Sequence, residues 1–201
     1  MKVKVYVEGG GNGKSLRPKC RQGFSSFFAK ANLTGRMPKI IACGGRNSAF
    51  DKFRTALKLR NADEFVVLLV DSEDPVADGA GPWLHLMRRD DWEKPDMATD
   101  DNAHLMVQCM EAWFLADKDG LAAYFGQGFN RNALPGRQQI EDVAKDDVLD
   151  GLKRATRQSK RGEYGKGRHS FDILEQTDPA KVTDASPHAR RLVETLRRQS
   201  G

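Results

Sequence analysis

Apolar and polar positions alternate in "KVKVYV", residues 2–7, and then give way to glycines, the pattern of a strand that ends at Glu8 and enters a loop. Downstream, "GFSSFFAKANL" sets Phe24, Phe27, Phe28 and Leu33 near helical spacing, which predicts a helix from Ser15 to about Leu33 with Pro18 near its start. "KIIACGG" reads as a second short buried strand closing on Gly44 and Gly45, and "NSAFDKFRTALKLR" gathers Phe50, Phe53, Ala56 and Leu57 on one helical face. "EFVVLLVDSED" is a continuous apolar run ending at Asp71, as expected of a parallel strand covered on both faces. After an acidic loop, "AHLMVQC" predicts a fourth strand, leading into a helix over "MEAWFLADKDGLAAYF".

Alternating strands and helices predict an α/β fold, with a mostly parallel sheet of about four strands flanked by helices. Such sheets bind ligands beyond the carboxyl ends of their strands. Glu8 and Asp71 both fall at such ends, so both are expected to face one crevice. From about residue 128 the pattern weakens, which divides the chain into an α/β core, 1–127, and a basic, mainly helical extension, 128–201, packed on it. "SPHARRLVETLRRQ" closes the chain as a helix with Ser186 as N-cap, Pro187 at the first position, and Leu192, Val193 and Leu196 inward.

At 201 residues the chain can bury a core without staples. Cys20, Cys43 and Cys109 are odd in number and form no C-x-x-C pair, which argues against a disulfide framework or a zinc ribbon and for a reducing compartment. With no apolar run of membrane-spanning length and no signal-peptide pattern, the expectation is a soluble, cytoplasmic protein without a membrane partner. Charge is segregated. Residues 1–60 carry 14 basic residues against Glu8 and Asp51, residues 61–150 carry 7 against 20 acidic, and residues 151–201 carry 12 against 6. Basic segments enclosing an acidic one suit a polyanion-binding surface beside a carboxylate-rich metal site; the plainer alternative is segregated solvated faces.

"VEGGGNGKS", residues 7–15, nearly spells a phosphate-binding P-loop, with Gly13-Lys14-Ser15 at its end but Glu8 in place of the opening glycine. A P-loop reading gives Lys14 the phosphates and Ser15 and Asp71 the magnesium. Against it, a carboxylate at position 8 puts repulsion where phosphate charge should gather. The other reading makes Glu8 the reactive group and the glycines the means of close backbone approach. Glu8, with Asp71-Ser72-Glu73-Asp74 ending a later strand, forms the pattern of a Mg²⁺ site, since a hard cation takes oxygen ligands and few carboxylates. Asp71 and Glu73 can both point into the crevice if the chain stays extended beyond Asp71; Asp74 is the reserve ligand.

This arrangement resembles the Toprim fold of primases, topoisomerases and the overcoming-lysogenization-defect nucleases, which pairs a glutamate after the first strand with a D-x-D-type motif after a later one. More narrowly, "VYVEGGG", "LLVDSED" and "MVQCMEAWFLAD" together are similar to a small bacterial Toprim-like group, domain of unknown function 4276. The resemblance implies nuclease activity with Mg²⁺ (or Mn²⁺), an ATPase partner and a role in anti-phage defence. By position it implies Glu8 as the Toprim glutamate, Asp71 as the first acid of the paired motif and Glu73 as the second. Glu73 departs from the usual Asp and is followed directly by Asp74, so either could hold metal. Glu111 matches the group's later acidic position, as a further metal or water-orienting group; the alternative is an acid favoured by a helix N-terminus.

Trp113 and Phe114 are expected in the core, and His85, His104, His169 and His188 show no metal spacing. Lys14, Arg17 and Arg46 sit where a phosphate backbone could pass, or form a solvated loop. "KRGEYGKGRH" offers Lys160, Tyr164 and Lys166 as a flexible basic nucleic-acid contact, or a surface loop. The functional expectation is therefore a Mg²⁺-dependent Toprim-like nuclease cutting RNA or DNA. The alternatives are a P-loop-type NTPase or phosphotransferase, and a non-catalytic module that binds nucleic acid or an ATPase.

Overall fold

The computed structural model describes residues 1–11, 15–137 and 139–201. Four strands, β1 (Lys2–Val7), β2 (Lys39–Ala42), β3 (Glu64–Asp71) and β4 (Ala103–Met106), form one sheet in the order β2-β1-β3-β4. Every pairing is parallel, with Val7 opposite both Ala42 and Leu69, and Asp71 opposite Met106. Parallel neighbours need crossovers, and α1 (Leu16–Phe28), α2 (Arg46–Leu59) and α3 (Pro82–Asp90) supply them in turn. The chain has an α/β, Rossmann-like fold.

β3 explains its own unbroken apolar run. Val67 and Leu69 belong to one apolar cluster, whereas Val66, Leu68 and Val70 belong to another, because successive side chains leave opposite faces of the sheet. On the first face lie Phe24, Phe27 and Phe28 of α1, with Trp113 stacked on Phe27 at 5.1 Å between ring centroids. On the second lie Phe50, Phe53 and Leu57 of α2 and Trp83 and Leu86 of α3, closed by Trp92 against Phe50 at 4.2 Å.

The first cluster runs from Val3 to Leu196 without interruption, so the helices after residue 128 share the core of β1. These are α5 (Lys145–Thr156), α6 (Ser170–Gln176), α7 (Pro179–Ala185) and α8 (Pro187–Gln199), following α4 (Lys118–Phe125). α8 is built as its sequence predicts: Ser186 Oγ accepts the Ala189 N–H at 3.0 Å, and Leu192, Val193 and Leu196 are buried. Trp113 and Phe114 are core residues.

Several elements differ from expectation: the helix expected to reach Leu33 ends as α1 at Phe28 and closes in a π-helical turn broken at Asn32, φ +63°, and β4 ends at Met106 rather than Cys109. Strand β1 stops at Val7, leaving Glu8 just beyond it. The helix predicted over 110–125 divides into a 3-10 segment, Met110–Ala116, and α4, because Asp117 leaves the helix to cap it, accepting the Gly120 N–H at 3.1 Å. α3 lies inside the stretch expected to be an acidic loop. It starts on Pro82 and is only nine residues long, too short for a periodic signal. Cys20, Cys43 and Cys109 are buried free thiols. No helix among the described residues is long and apolar enough to cross a membrane.

Candidate functional site

Register alone brings the carboxyl ends of β1 and β3 together. The Glu8 N–H donates to the Leu69 carbonyl at 2.9 Å, fixing Glu8 beside the last turn of β3. Gly9 and Gly44 then exchange hydrogen bonds of 2.9 Å, which ties the loop after β1 to the loop after β2. Gly44 has φ of +85°, and a Cβ there would lie 2.9 Å from the Gly11 carbonyl oxygen, so the contact requires glycine.

At the end of β3, the Asp71 carboxylate is buried and accepts the Met110 N–H at 2.9 Å. The chain does not stay extended beyond it, correcting the geometry expected for Glu73. Glu73 adopts φ of +66°, an unfavourable region for a side-chain-bearing residue, held by its N–H bond to the Gln108 carbonyl at 3.0 Å. Even so, oxygens of Glu8, Asp71 and Glu73 all lie within 4.8 Å of one another. Asp74 does not join them; its carboxylate is mostly exposed and pairs with Arg89 at 3.1 Å.

Each acid of the trio faces a cation from a different element. Arg46, at the start of α2, contacts Glu8 at 3.2 Å, donates to the Asp71 carbonyl, and is anchored by Asp90 at 2.6 Å. Lys145, at the start of α5, pairs with Glu73. Lys166 Nζ stands 3.8 Å from Asp71 and 3.7 Å from Glu111. Burial, then the charges of Glu111 and Glu8, push the Asp71 carboxyl up to about 8, against the pull of Lys166 and the Met110 N–H. Burial also raises Glu8, with Arg46 opposing and Glu73 adding to the shift. Burial alone would lower the Lys166 ammonium, but Glu111 and Asp71 hold it above its ordinary value.

Glu111 is fully buried at the start of the 3-10 segment. Its Oε1 accepts from the Tyr164 hydroxyl at 2.9 Å and from Ser170 at 3.3 Å, while its buried Oε2 has Lys166 Nζ at 3.7 Å and no hydrogen-bond partner among the described residues. Together with the glycine loop, Glu8, Asp71, Glu111, Lys166, Ser170 and Phe171 line a pocket of about 300 Å³. Glu73 joins the acid cluster from outside that lining.

Several expected contacts are placed differently. Tyr164 is 4% exposed and spends its hydroxyl on Glu111, so it is no surface platform for a base. Arg46 is an internal counter-ion between Glu8 and Asp90, whereas Lys166 lines the pocket with its side chain half-exposed. Lys160 is exposed and does not line the pocket, whereas Arg17 packs beside the glycine loop, its Cα 3.0 Å from where a Gly10 Cβ would lie. Lys14 lies outside the described residues. Lys145, Asp90, Ser170 and Phe171 were not foreseen, because each reaches the site only through tertiary packing; Lys145 and Glu73 are 72 positions apart.

Among curated proteins and among solved structures, nothing matches the chain. A family model does match, over residues 7–197, from the end of β1 into the last turns of α8. The matched span contains Glu8, Asp71, Glu73 and Glu111, and by it the chain belongs to the family described as domain of unknown function (DUF4276).

Proposed function

We propose that the protein is a divalent-cation-dependent phosphodiester hydrolase acting on nucleic acid, a Toprim-like nuclease. The convergence of Glu8, Asp71 and Glu73 at the carboxyl end of a parallel sheet carries this reading. The residues fit a hard cation: the donors are carboxylate oxygens, Asp71 is destabilised as an anion by burial and by its acidic neighbours, and Glu111 Oε2 lacks a hydrogen bond among the described residues. Asp71 and Glu73 would hold Mg²⁺, with Mn²⁺ as a substitute. When bound, such an ion polarises a phosphate and lowers the pKa of coordinated water.

The chain's own groups supply the rest. Glu8, with its raised carboxyl pKa, accepts the proton of the attacking water as oxygen adds to phosphorus and the bond to the leaving oxygen breaks, and the leaving oxygen takes up a proton from solvent water. Lys166 balances the buried charge of Asp71 and Glu111, and Tyr164 and Ser170 orient Glu111. The family adds an ATPase partner and a defence role to the reading, and the unpaired cysteines add a reducing, cytoplasmic setting.

The test is cleavage of labelled RNA and DNA by the purified chain with Mg²⁺, with Mn²⁺ and with chelator, beside Glu8→Gln and Asp71→Asn. Metal-dependent cutting that falls by about 10²–10⁴-fold in Glu8→Gln is the expected result. Cutting that survives both substitutions would remove the acids from the chemistry.

A further inference from the structure

The shape of the pocket restricts which form of nucleic acid can bring a phosphate to the acids, an inference that rests on the reading just given. Asp71 exposes 7% of its side chain and Glu111 none, so both lie on the floor of the 300 Å³ recess. Leu16, in the first turn of α1, is half-buried and lines the recess. A Cβ on Gly11 would lie 3.8 Å from Leu16 Cδ1, and one on Gly167 would lie 3.5 Å from the same atom, so two loops close towards each other across one leucine. Phe171 leans on the glycine loop, its Cζ 3.3 Å from where a Gly9 Cβ would stand.

A recess of this volume is at the small end of ligand sites and admits one nucleotide unit. A double helix carries its phosphates on a stiff convex surface, between grooves about 12 and about 6 Å wide, and cannot enter. Half-buried Leu16 and the bare glycine backbone suit a sugar and a base face, and Lys166, half-exposed beside the acidic floor, leaves one cation for one phosphate.

We propose that nucleic acid is engaged as an unpaired strand, with one nucleotide entering the pocket against Leu16 and the glycine loop and its phosphate directed to Asp71. Sites that must reach a group hidden in a duplex take it single-stranded or extruded, and apolar contact to a base face tolerates any sequence.

Fluorescence anisotropy of a labelled single strand, and of the same strand annealed in a blunt duplex, tests this on the full chain with Ca²⁺ replacing Mg²⁺. The single strand should bind about tenfold more tightly, for one base packed against an apolar wall. A mononucleotide should displace it, and Leu16→Trp, which fills the recess, should lose most of the preference while melting like the wild type. Equal or tighter duplex binding, no binding of either, failure of the mononucleotide to compete, or a folded Leu16→Trp that binds unchanged would each overturn the proposal. If Leu16→Trp does not fold, mononucleotide competition decides without it. Metal-dependent turnover of bis(4-nitrophenyl) phosphate is read in parallel. Turnover without strand preference removes this inference and leaves the hydrolase; strand preference without turnover does the reverse.

Discussion

Lys145, the first residue of α5, closes an ion pair with Glu73, whose backbone is held in the left-handed region. Both side chains are about three-quarters buried, so the lysine occupies the charge that a cation at Glu73 would supply. Lys145→Met should therefore lower the cation concentration needed to stabilise the protein, by about tenfold, while costing about 1 kcal/mol without metal. Thermal melts across a Mn²⁺ series give both quantities, and an unchanged midpoint concentration would show that lysine and cation do not compete.

Asp71 sets a pH dependence of definite sign. Its carboxyl rises from 3.8 to about 8 on folding, so between those values the folded state holds more protons than the unfolded one. Metal-free stability then falls as pH rises through this window. Asp71→Asn, which can still accept the Met110 N–H, should flatten the slope to the smaller part that Glu8 contributes and raise the melting temperature in chelator at about pH 8 by about 2–4 °C. The same variant should lose the gain from added Mn²⁺. A lower melting temperature in chelator would mean that Asp71 is better paired by Lys166 than its burial suggests.

His104 works in the opposite direction. Its ring is buried in β4, 3.3 Å from Arg191, and burial, followed by the Arg191 charge, depresses its pKa to about 3. Below 6.5 the unfolded chain takes up a proton that the folded chain refuses, so this contribution is lost as pH falls from 6.5 towards about 3. The slope is at most about 1.4 kcal/mol per pH unit. Urea titrations of wild type and His104→Gln over that range should diverge in slope, and parallel curves would place the acid sensitivity elsewhere.

Tyr164→Phe separates a buried brace from a nucleic-acid contact. Losing the hydroxyl leaves Glu111 Oε1 with Ser170 alone, at a cost of about 1–3 kcal/mol in urea unfolding. Single-strand affinity measured with Ca²⁺ should change less than twofold. A large loss of affinity with unchanged stability would return the ring to the binding surface.

Local pattern was a good guide wherever one element met a continuous core. The apolar run 64–71 and the Ser186-Pro187 start of α8 are legible because burial on both faces and N-capping leave marks within a few residues. Glu8 and Asp71 were legible as candidates because parallel strands put their carboxyl ends on one side. Nothing in "DSED" itself reveals that Glu73 reaches the trio through a left-handed turn while Asp74 swings out to Arg89; that depends on Gln108 and Lys145 far along the chain. Likewise, "GEYGKG" looks like a mobile surface loop until Glu111 is placed beneath it, demanding the tyrosine hydroxyl.

The pocket draws its wall from positions as distant as Glu8 and Phe171. During synthesis, the strands that carry Glu8 and Asp71 leave the ribosome well before Lys166, Ser170 and Phe171 exist. A nascent chain can therefore gather acids without the lysine and the aromatic wall, and the assembled centre arises only once α6 docks on α1. Synthesis itself thus delays the complete pocket until residues 166–171 have been made.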